Sequence, residues 1–564
     1  LNTELNTTYL NSLDSTSQNM IGNTKYYLGG YSGSSIQKDV MYQYERKING
    51  STYYNGSNPN NFIGKLALMY ASDYGYAASD ECTQNLFDYD NATCKNNNWL
   101  YNIKVSEWIL LQSASGSEFT FRVNSVGNVS SGYNVSSNQL AVRPVLYLKP
   151  DVKIIVGHGT STDPYVIGIN QKDTSGANAP VLASNMIPVY YDDSKNVWKC
   201  ADKDNKDIVT RWYHYDYKMW ANAVTINYSD SSIKNRYFNS DGTLKIKPGE
   251  EVLMADITTM WVWIPRFNAT TPSNYNGGTK AKPNAIDVTF VKQNETALYT
   301  FTFGNKELSG FWYGKFETSH TTLASSSNYN NLGCTNETCS NANGIIIKPN
   351  VTSLRYNSVS DFFFASRSME QTGNSFGFVS SEVDTHMSKN NEWGAVAYLT
   401  QSIHGRCADS TSCTEIGINN KEGYLTGYGA PAGSNDSVTN GAYDTSLGKD
   451  ASTTNNIYGI YDMSGGAYEY VMGVYNKTIK SSGFSSLPNE KYYNNYIGSS
   501  YTGHALTETK NWYSDDARFV STSNPWFIRG GYNYGSTDAG VFYFDYVIGI
   551  LIGNYSSRLV ISNE

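Results

Sequence analysis

Short apolar and aromatic runs alternate with turn-forming residues along most of the chain. Clear runs cover 62–70, 141–149, 261–266 and 310–317, and Gly, Asn and Ser are frequent between them. β-branched and aromatic residues favour strands, while clusters of Gly, Asn and Ser are typical of the turns that join strands. The pattern therefore predicts an α+β, β-rich protein.

Helical patterns are few. The stretch 388–400 carries the clearest one, because its apolar residues would share one face of a helix. Those residues are Trp393, Val396, Ala397 and Leu399. Residues 1–50 are polar and weakly amphipathic, which predicts a partly helical lead-in to the first domain.

The length of the chain predicts several domains, because 564 residues exceed what a single hydrophobic core holds. We expect the lead-in over 1–50, a β-rich domain over 51–168, a linker over 169–185, a small Trp-rich β module over 186–250 and a large domain over 251–564. The linker is predicted from its Gly, Asn, Ala and Pro content, which is typical of flexible connections.

Charge and composition exclude some functions. Charged residues make up 16% of the chain, the net charge is −8 and no basic run occurs, so we expect no nucleic-acid partner. No stretch approaches the roughly eighteen apolar residues of a membrane-spanning helix. Because the chain opens at Leu1 without an initiator Met or a signal peptide, we expect that a secretion or anchoring segment has been removed. Any membrane anchoring would depend on that segment.

The cysteines indicate the compartment. Six of the seven fall in close pairs within polar loops: Cys82 with Cys94, Cys334 with Cys339, and Cys407 with Cys413. Short disulfides in an oxidising, extracytoplasmic setting explain this spacing best, and reduced loop cysteines are the alternative. We expect Cys200 to be a small buried residue. Because the pairs lack Cys-x-x-Cys spacing and the histidines are scattered, we expect no metal site and no cofactor.

Two other groups of residues invite a functional interpretation. Trp198, Trp212 and Trp220 would either pack in a core, which we favour, or stack on sugar. Glu317 and His320 are close in sequence, but we interpret them as surface residues without a catalytic role. We expect no catalytic residue anywhere in the chain.

The C-terminal segment combines a regular frame with an irregular middle. Short apolar strands near its two ends carry Arg529 and Arg558, and the residues between them follow no regular pattern. A constant frame around a permissive middle is typical of a binding loop on a rigid scaffold. This segment is therefore the first candidate for a functional surface.

Strand alternation divides part of this middle into two faces. It predicts that Phe542 and Phe544 face the core, and that Tyr543 and Asp545 lie on an accessible face. The run Val547–Ile552 has two interpretations, a buried core strand or a partly exposed binding surface. An exposed apolar patch of that kind is uncommon unless it meets a partner.

Several ordered motifs resemble the formylglycine-generating-enzyme type of C-type lectin fold. They are Gly310-Phe-Trp-Tyr-Gly-Lys-Phe-Glu317, Asn391-Glu-Trp-Gly-Ala395, Gly459-Ile-Tyr-Asp-Met-Ser-Gly-Gly-Ala-Tyr-Glu-Tyr470, Arg529-Gly-Gly and Ser-Arg558-Leu-Val. The resemblance spans roughly residues 300–563 and implies a C-terminal C-type lectin-like domain in which Glu469 makes a structural hydrogen bond. Gly466, Tyr468 and Tyr470 depart from the Asn, Trp and Trp usual in the family.

The same resemblance argues against the family's chemistry. Its enzymes oxidise their substrate with a cysteine pair late in the domain, and no cysteine follows Cys413. The lectin branch often binds sugar through calcium, with Glu-Pro-Asn or Gln-Pro-Asp and Trp-Asn-Asp tripeptides. None of these occurs in the sequence.

A closer resemblance is to the variable proteins of diversity-generating retroelements, which carry the same fold. In those systems the adenine positions of a template are randomised within a constant frame. The resemblance implies a frame of Gly530, Gly531, Gly540, Val541, Phe542, Phe544 and Arg558. It also implies diversified, ligand-binding positions at Tyr532, Tyr534, Tyr543, Asp545, Tyr546, Val547, Ile548, Ile550, Ile552 and Asn554.

These resemblances imply a secreted or surface-displayed, non-catalytic binding protein, bacterial or phage-borne. Its partner would be an unknown protein or glycan on another cell or surface, bound through residues 532–555. The alternatives are a carbohydrate-binding adhesin that uses the Trp-rich module and, less strongly, a formylglycine-generating-type oxidase. Residues 62–167 resemble a second, diverged lectin-like copy, in which 124–140 would form a second displayed loop.

Overall fold

Two compact units make up the chain, one comprising 1–154 and 167–170, the other 155–166 and 171–564. The computed structural model is rich in strands, with 28% strand and 19% helix, which confirms the β-rich prediction. It describes residues 2–47, 54, 56–102, 104–136, 140–150, 152–156, 165–169, 173–207, 209–323, 332–335 and 338–563. Among these residues no helix combines the length and the apolar character needed to cross a membrane.

Short helices open the N-terminal unit, beginning with a π-helical turn over Glu4–Tyr9. The helices are α1 (Leu10–Ser12), α2 (Ser15–Met20), α3 (Lys38–Glu45), α4 (Ala71–Tyr76) and α5 (Ala92–Lys95). The first three lie within residues 1–50. The apolar residues Leu5, Leu10 and Ile21 of this stretch are buried and pack with Leu66 and Leu68.

Small sheets form the rest of this unit. The strands are β1 (Thr24–Tyr27), β2 (Asn61–Gly64), β3 (Leu66–Leu68), β4 (Glu107–Gln112), β5 (Phe119–Val123), β6 (Val129–Asn134), β7 (Pro144–Leu146), β8 (Val152–Val156) and β9 (Val166–Ile169). β1 pairs with β2, β3 with β7, β8 with β9, and β4, β5 and β6 form a three-stranded sheet. Residues 129–134 of the predicted second displayed loop form β6, whereas 137–139 lie outside the described residues. That loop stays a prediction.

The C-terminal unit contains most of the strands. They are β10 (Ile187–Asp192), β11 (Val197–Cys200), β12 (Asn222–Ile226), β13 (Ile257–Pro265), β14 (Phe267–Ala269), β15 (Val288–Phe290), β16 (Thr302–Phe303), β17 (Lys306–Glu307), β18 (Gly310–Gly314), β19 (Ser319–His320), β20 (Cys334–Thr335), β21 (Thr338–Cys339), β22 (Ile345–Ile346), β23 (Val383–Met387), β24 (Tyr428–Gly429), β25 (Gly441–Ala442), β26 (Tyr468–Tyr475), β27 (Asn494–Tyr496), β28 (Trp526–Arg529), β29 (Phe544–Val547), β30 (Tyr555–Ser557) and β31 (Leu559–Asn563). Its helices are α6 (Ser231–Tyr237), α7 (Val359–Ser368), α8 (Asn390–Thr400) and α9 (Ser446–Asp450).

One antiparallel sheet of seven strands organises this unit, in the order β11-β10-β12-β13-β18-β31-β23. β13 runs beside β18 with Trp263 opposite Trp312, and β18 runs beside β31 with Trp312 opposite Ile561. The C-terminal strand therefore lies inside the sheet, next to a strand from the first of the lectin-like motifs.

The Trp-rich module predicted over 186–250 is not separate. Its strands β10, β11 and β12 belong to the seven-stranded sheet. Trp198, Trp212 and Trp220 are buried, and the Trp212 and Trp220 indoles donate to the Asn222 and His404 carbonyl oxygens at 2.7 and 2.8 Å. Core packing is thus confirmed for these tryptophans, and stacking on sugar is excluded by their burial.

The described part of the predicted linker, 173–185, also packs against this sheet. The Asn178 side-chain amide donates to the Val291 carbonyl oxygen at 2.9 Å, and the Trp312 indole donates to the Val181 carbonyl oxygen at 2.7 Å. The flexible connection predicted from composition is therefore wrong for these residues. The neighbouring tryptophans supply partners that composition does not reveal.

The helix predicted over 388–400 is confirmed as α8, but the one-sided apolar face is wrong. All of its residues are buried. The Asn391 N–H donates to the Asn494 side chain at 3.0 Å and the Trp393 indole donates to the Val541 carbonyl oxygen at 2.9 Å. Because other elements pack on several sides, polar residues of the helix are buried with apolar ones.

A second sheet carries the C-terminal segment. Its order is β27-β26-β28-β29. β30 runs parallel to the first residues of β26, Tyr468–Tyr470, on the edge opposite β28. β28 and β29 are antiparallel, with Trp526 opposite Val547 and Arg529 opposite Phe544. β28 is therefore attached to β26, which is buried except at its ends, and β29 is attached to β28.

The cysteine pairing is confirmed in full. Disulfides join Cys82 to Cys94, Cys334 to Cys339, and Cys407 to Cys413. Cys200 is free and buried, as predicted. Burial, and to a smaller extent the nearby Glu250 carboxylate, raises the pKa of its thiol to about 12. A thiol with that pKa is not a nucleophile near neutral pH.

Candidate ligand-binding surface

Arg529 fixes the first end of the C-terminal segment from inside the protein. It is fully buried at the end of β28. Its guanidinium donates to the His504 and Ala505 carbonyl oxygens at 3.3 and 2.9 Å, and to the Asn390 side chain at 3.2 Å. A guanidinium offers a fixed fork of donors, so these contacts set the position of β28 and offset part of the cost of burial, which lowers the pKa of Arg529 to about 10.

Arg558 fixes the second end. It forms a buried ion pair with Glu469 and donates to the Gly314 and Tyr461 carbonyl oxygens at 2.9 and 3.0 Å. Burial opposes charging, but the Glu469 carboxylate raises the pKa of Arg558 above its usual range. The structural role predicted for Glu469 is thus confirmed.

Buried carboxylates extend this frame in a way the sequence reading missed. Glu317 and His320 are buried, so their interpretation as surface residues is wrong. Glu317 accepts the Ala467 N–H at 2.8 Å. Burial, and to a smaller extent nearby Asp462, raises the pKa of Glu317 well above the usual range. Glu317 therefore holds the loop that precedes β26 through one side-chain oxygen, while the other oxygen accepts the Ser353 hydroxyl.

Gly466 belongs to the same loop. Its φ is +67°, and a Cβ atom at this position would lie 2.3 Å from a Glu317 oxygen. Glycine at this position therefore has a steric reason, because any larger residue would collide with a buried carboxyl group.

The predicted faces around Phe542 are half right. Phe542 and Phe544 are buried, as predicted, and buried Asp515 accepts the Phe542 N–H at 2.9 Å. Tyr543 is only 4% exposed, so its prediction as an accessible residue is wrong. The reason is that the strand begins at Phe544, and strand alternation does not apply to the turn before it.

Tyr543 belongs to a tyrosine cluster that supports the surface. The ring of Tyr468 stacks on that of Tyr532 at 4.9 Å between centroids and lies 5.7 Å from that of Tyr543. Tyr532 in turn lies 5.9 Å from Tyr534, which is 46% exposed. The cluster thus runs from a buried ring to an exposed one. Packed rings of this kind give a large and rigid contact area.

The run Val547–Ile552 leaves the sheet and becomes an exposed turn. Gly549 allows the reversal with a φ of +93°. Ile550 is 37% exposed and Leu551 is 42% exposed, while the remaining apolar residues of the turn are half-buried. Of the two interpretations, the partly exposed surface agrees with the structure, whereas the buried core strand does not.

The backbone of this turn is anchored, although its side chains are exposed. The carbonyl oxygen of Ile548 accepts the Ser481 N–H at 3.2 Å, and that of Ile550 accepts the Tyr470 hydroxyl at 2.6 Å. Arg355, which is buried, donates to the Gly553 carbonyl oxygen. These contacts use main-chain atoms of the turn only, so they do not depend on the identity of its side chains.

A groove of about 490 Å³ opens beside the turn. Ile550, Leu551 and Phe364 supply apolar lining, and the polar lining includes Ser358, Ser360, Asp361, Ser481 and Ser485. Its volume is within the range of roughly 300–1,000 Å³ that small-ligand sites occupy. The groove combines apolar contacts with hydroxyl groups, which is suitable for an amphipathic ligand.

The polar candidate positions lie at the edge of the surface. Asp545 is half-buried, and one of its oxygens lies 3.6 Å from a guanidinium nitrogen of Arg518. Burial raises its pKa, and Arg518 opposes that effect. Asn554 is half-buried and its carbonyl oxygen accepts the Tyr468 N–H at 3.0 Å. Tyr546 is exposed on β29 beside Asp545.

Of the ten predicted positions, Asp545, Tyr546 and Val547 lie on β29, and Ile548, Ile550 and Ile552 lie in the turn after it, while the other four lie in loops next to β28, β29 and β30. Nine of them are exposed or half-buried, and Tyr543 is the buried one. Leu551 lies in the run predicted to be partly exposed but was not among the predicted ligand-binding positions, and sequence reasoning missed the support given by Tyr468, Tyr470 and Tyr555. The spacing of Tyr468 and Tyr470 is a usable signal, because residues two apart on a strand share a face.

One group elsewhere offers possible metal ligands. Asp173, His214 and Asp216 bring one ligand atom each to within 4.8 Å of one another. Asp216 already accepts the Thr174 N–H and hydroxyl, both at 2.8 Å, and Asp173 accepts the Ser175 N–H at 3.0 Å. These carboxylates therefore hold the chain at 173–175 against the loop that contains His214.

Comparisons with known proteins give only weak likenesses. No protein-family model matches the chain, and no curated protein matches it either. Treponema denticola variable protein 1 is 13% identical with a TM-score of 0.23, covering 53% of this chain and 95% of that one. The U1 variant of Major Tropism Determinant is 13% identical with a TM-score of 0.21, and the P3c variant is 12% identical with a TM-score of 0.23. Each of these two alignments covers 70% of this chain and 98% of the other. TM-scores this low do not assign a fold.

Proposed function

We propose that the chain is a non-catalytic binding protein whose C-terminal surface, residues 532–555, binds a partner and tolerates changes of side chain. The anchored turn is the observation that carries the proposal. Its carbonyl oxygens at Ile548, Ile550 and Gly553 are held by other elements, while Ile550 and Leu551 expose their side chains. A surface of this kind accepts new residues without losing its backbone conformation.

The energetics of such a surface favour recognition. Exposed tyrosines and aliphatic side chains bury large apolar area on binding and lose little conformational entropy, because a tyrosine has only two side-chain torsions. The neighbouring groove adds hydroxyl groups that set the orientation of a bound ligand. We propose that the partner is a protein or glycan on another cell or surface.

The finer proposal is that the surface has a C-type lectin-like fold and is diversified by a retroelement. The ordered motifs and the buried arginine frame at Arg529 and Arg558 support the first part. The mixture of aromatic, acidic and aliphatic residues on a constant frame supports the second. The three local disulfides support display outside the cytoplasm, because such bonds persist in oxidising compartments.

Two matched libraries test the proposal without a known ligand. The first randomises Tyr534, Ile550 and Leu551, and the second randomises Tyr299, Ile403 and Ile497, which are also exposed residues of the C-terminal unit. Both are displayed as full chains and selected against the same panel of extracellular proteins and immobilised glycans. We expect folded binders from the first library and none from the second. Equal numbers of binders from both would refute a dedicated binding surface.

A further inference from the structure

A second, unrelated pocket lies in the N-terminal unit. It has a volume of about 330 Å³ and is lined by β1, Arg46, Tyr70 and Tyr147. This volume is at the lower end of the range for small-ligand sites, roughly 300–1,000 Å³. The pocket therefore has room for one small polar molecule rather than for a large one.

One wall of the pocket is the unpaired edge of β1. This strand pairs with β2 alone, and the Leu28 N–H donates to the Asn60 carbonyl oxygen at 2.9 Å. Because hydrogen bonding alternates along an antiparallel strand, the main-chain groups of Lys25 and Tyr27 point away from β2. The Tyr27 carbonyl oxygen accepts the Tyr70 hydroxyl at 2.8 Å. The Lys25 N–H and C=O and the Tyr27 N–H meet no partner among the described residues.

The free edge is too short to accept another strand. At one end the Gly22 N–H donates to the Tyr147 carbonyl oxygen at 2.9 Å, and at the other the Gln112 N–H donates to the Leu28 carbonyl oxygen at 3.1 Å. An added peptide strand would need a longer open edge on both sides. The closed ends therefore favour a compact ligand over an extended peptide.

Arg46 supplies a rigid positive group to this pocket. Its guanidinium lies 3.7 Å from the Tyr42 ring centroid and 4.7 Å from that of Tyr70. One of its nitrogens donates to buried Glu45 at 3.1 Å, and Glu45 also accepts the Ser72 N–H at 2.7 Å. A guanidinium has five N–H donors, so this arrangement holds it in place and leaves further donors for a ligand.

The acidic groups around Arg46 lie outside the lining of the pocket. The Asp73 carboxylate accepts the Tyr70 N–H at 2.9 Å, and Glu45 lies fully buried. Burial raises the pKa of Glu45 to about 7, against the effect of its hydrogen bonds to Ser72. Among the described residues that line the pocket none is acidic, and Lys25 adds a second positive charge to Arg46, which favours an anionic ligand.

We infer that this pocket binds an acidic sugar residue, through its carboxylate and its hydroxyl groups. A carboxylate matches the fork of the Arg46 guanidinium. Sugar hydroxyls both donate and accept, which suits the mixed N–H and C=O groups of the β1 edge. The half-exposed ring of Tyr147 offers an apolar face for the sugar ring.

Titration of the full chain with small saccharides tests this inference. The probes are glucuronate, N-acetylneuraminate, glucose and acetate, and binding is measured by isothermal titration calorimetry. We expect both acidic sugars to bind roughly tenfold or more tightly than glucose or acetate, because only they satisfy guanidinium and β1 edge together. A glycan ending in the acidic sugar distinguishes a glycan terminus from a free monosaccharide as the source.

Variants assign the binding to the pocket. Arg46→Gln and Arg46→Lys should both weaken acidic-sugar binding about tenfold or more, since Lys keeps the charge but lacks the fork. Tyr147→Ala gives a second test if the Arg46 variants fail to fold. Lys38→Gln is the control, because its amine lies over Tyr76 outside the pocket. Equal binding of glucose, no binding of either acidic sugar at millimolar concentration, or wild-type binding by folded variants would overturn the inference.

Discussion

At the residue scale, Gly466 has a left-handed backbone conformation and lies against the buried Glu317 side chain. Replacing it with Ala combines a left-handed backbone with a contact 2.3 Å from a Glu317 oxygen. We expect Gly466→Ala to lower the free energy of unfolding by about 2–3 kcal/mol in urea titrations. Gly423→Ala is the matched control, because Gly423 has a φ of +78° and nothing within 4 Å of its Cβ position. Equal losses for the two variants would show that backbone strain alone is responsible.

His504 gives the frame a dependence on pH. Burial, with help from Arg529 and Lys389, lowers the pKa of His504 to about 3, and its ring nitrogen lies 2.7 Å from the Tyr496 hydroxyl oxygen. Between that value and the usual 6.5 the folded protein binds fewer protons than the unfolded chain, so stability falls as pH falls. From pH 6.5 to 5 we expect a total loss of about 1.6 kcal/mol from this ring, because the slope rises from about half of its limiting value of about 1.4 kcal/mol per pH unit as the unfolded-state histidine becomes protonated.

Urea titrations at the two pH values measure the effect of His504. His504→Gln cannot titrate in this range, so its stability should change less between the two pH values than that of the wild type. A wild-type slope retained in His504→Gln would assign the pH dependence to other groups.

At the element scale, the turn 548–553 has a backbone held by other elements and exposed side chains at Ile550 and Leu551. Ile550→Asp should change the free energy of unfolding by less than about 1 kcal/mol, because an exposed side chain can take a charge without burying it. Ile528→Asp, on buried β28, should cost more than about 4 kcal/mol or prevent folding. Thermal unfolding of the two variants measures this contrast. A large loss for Ile550→Asp would show that the turn is part of the core.

Sequence patterns predict elements well where local signals dominate. The helix α8, the local disulfides, and the burial of Phe542 and Phe544 all follow from spacing and residue type. The prediction that Tyr543 is accessible is wrong because the strand begins at Phe544, so alternation does not apply to the residue before it. The prediction that Glu317 lies on the surface is wrong because its burial depends on Ala467 and other groups far away in sequence. Long-range partners of polar residues are not encoded in local patterns.

At the scale of the whole molecule, the seven-stranded sheet explains why the module and the linker were mispredicted. Short apolar runs over 186–250 have the same pattern whether they form a separate sheet or join a larger one. The strand order of a sheet is set by contacts between distant segments, such as β18 with β31, and periodicity contains no information about them. The chain passes for the last time from one compact unit to the other at residue 170.

The two compact units predict independent folding of the C-terminal one. A chain of residues 173–564 includes β10, β11 and β12, and we expect it to unfold at a temperature within a few degrees of the corresponding transition of the full chain. A chain of residues 251–564 lacks three strands of the seven-stranded sheet, so it should aggregate or fail to unfold cooperatively. Differential scanning calorimetry compares them. Cooperative unfolding of the shorter chain would contradict a shared sheet.

The central claim is that the C-terminal surface is a permissive binding surface on a constant frame. Sequencing the coding region from many cells of the source population tests it most directly. We predict that amino-acid differences concentrate at the nine exposed or half-buried candidate positions within 532–555. Arg529, Phe542, Phe544 and Arg558 should be invariant. Differences spread evenly along the C-terminal unit, or absent from 532–555, would contradict the account.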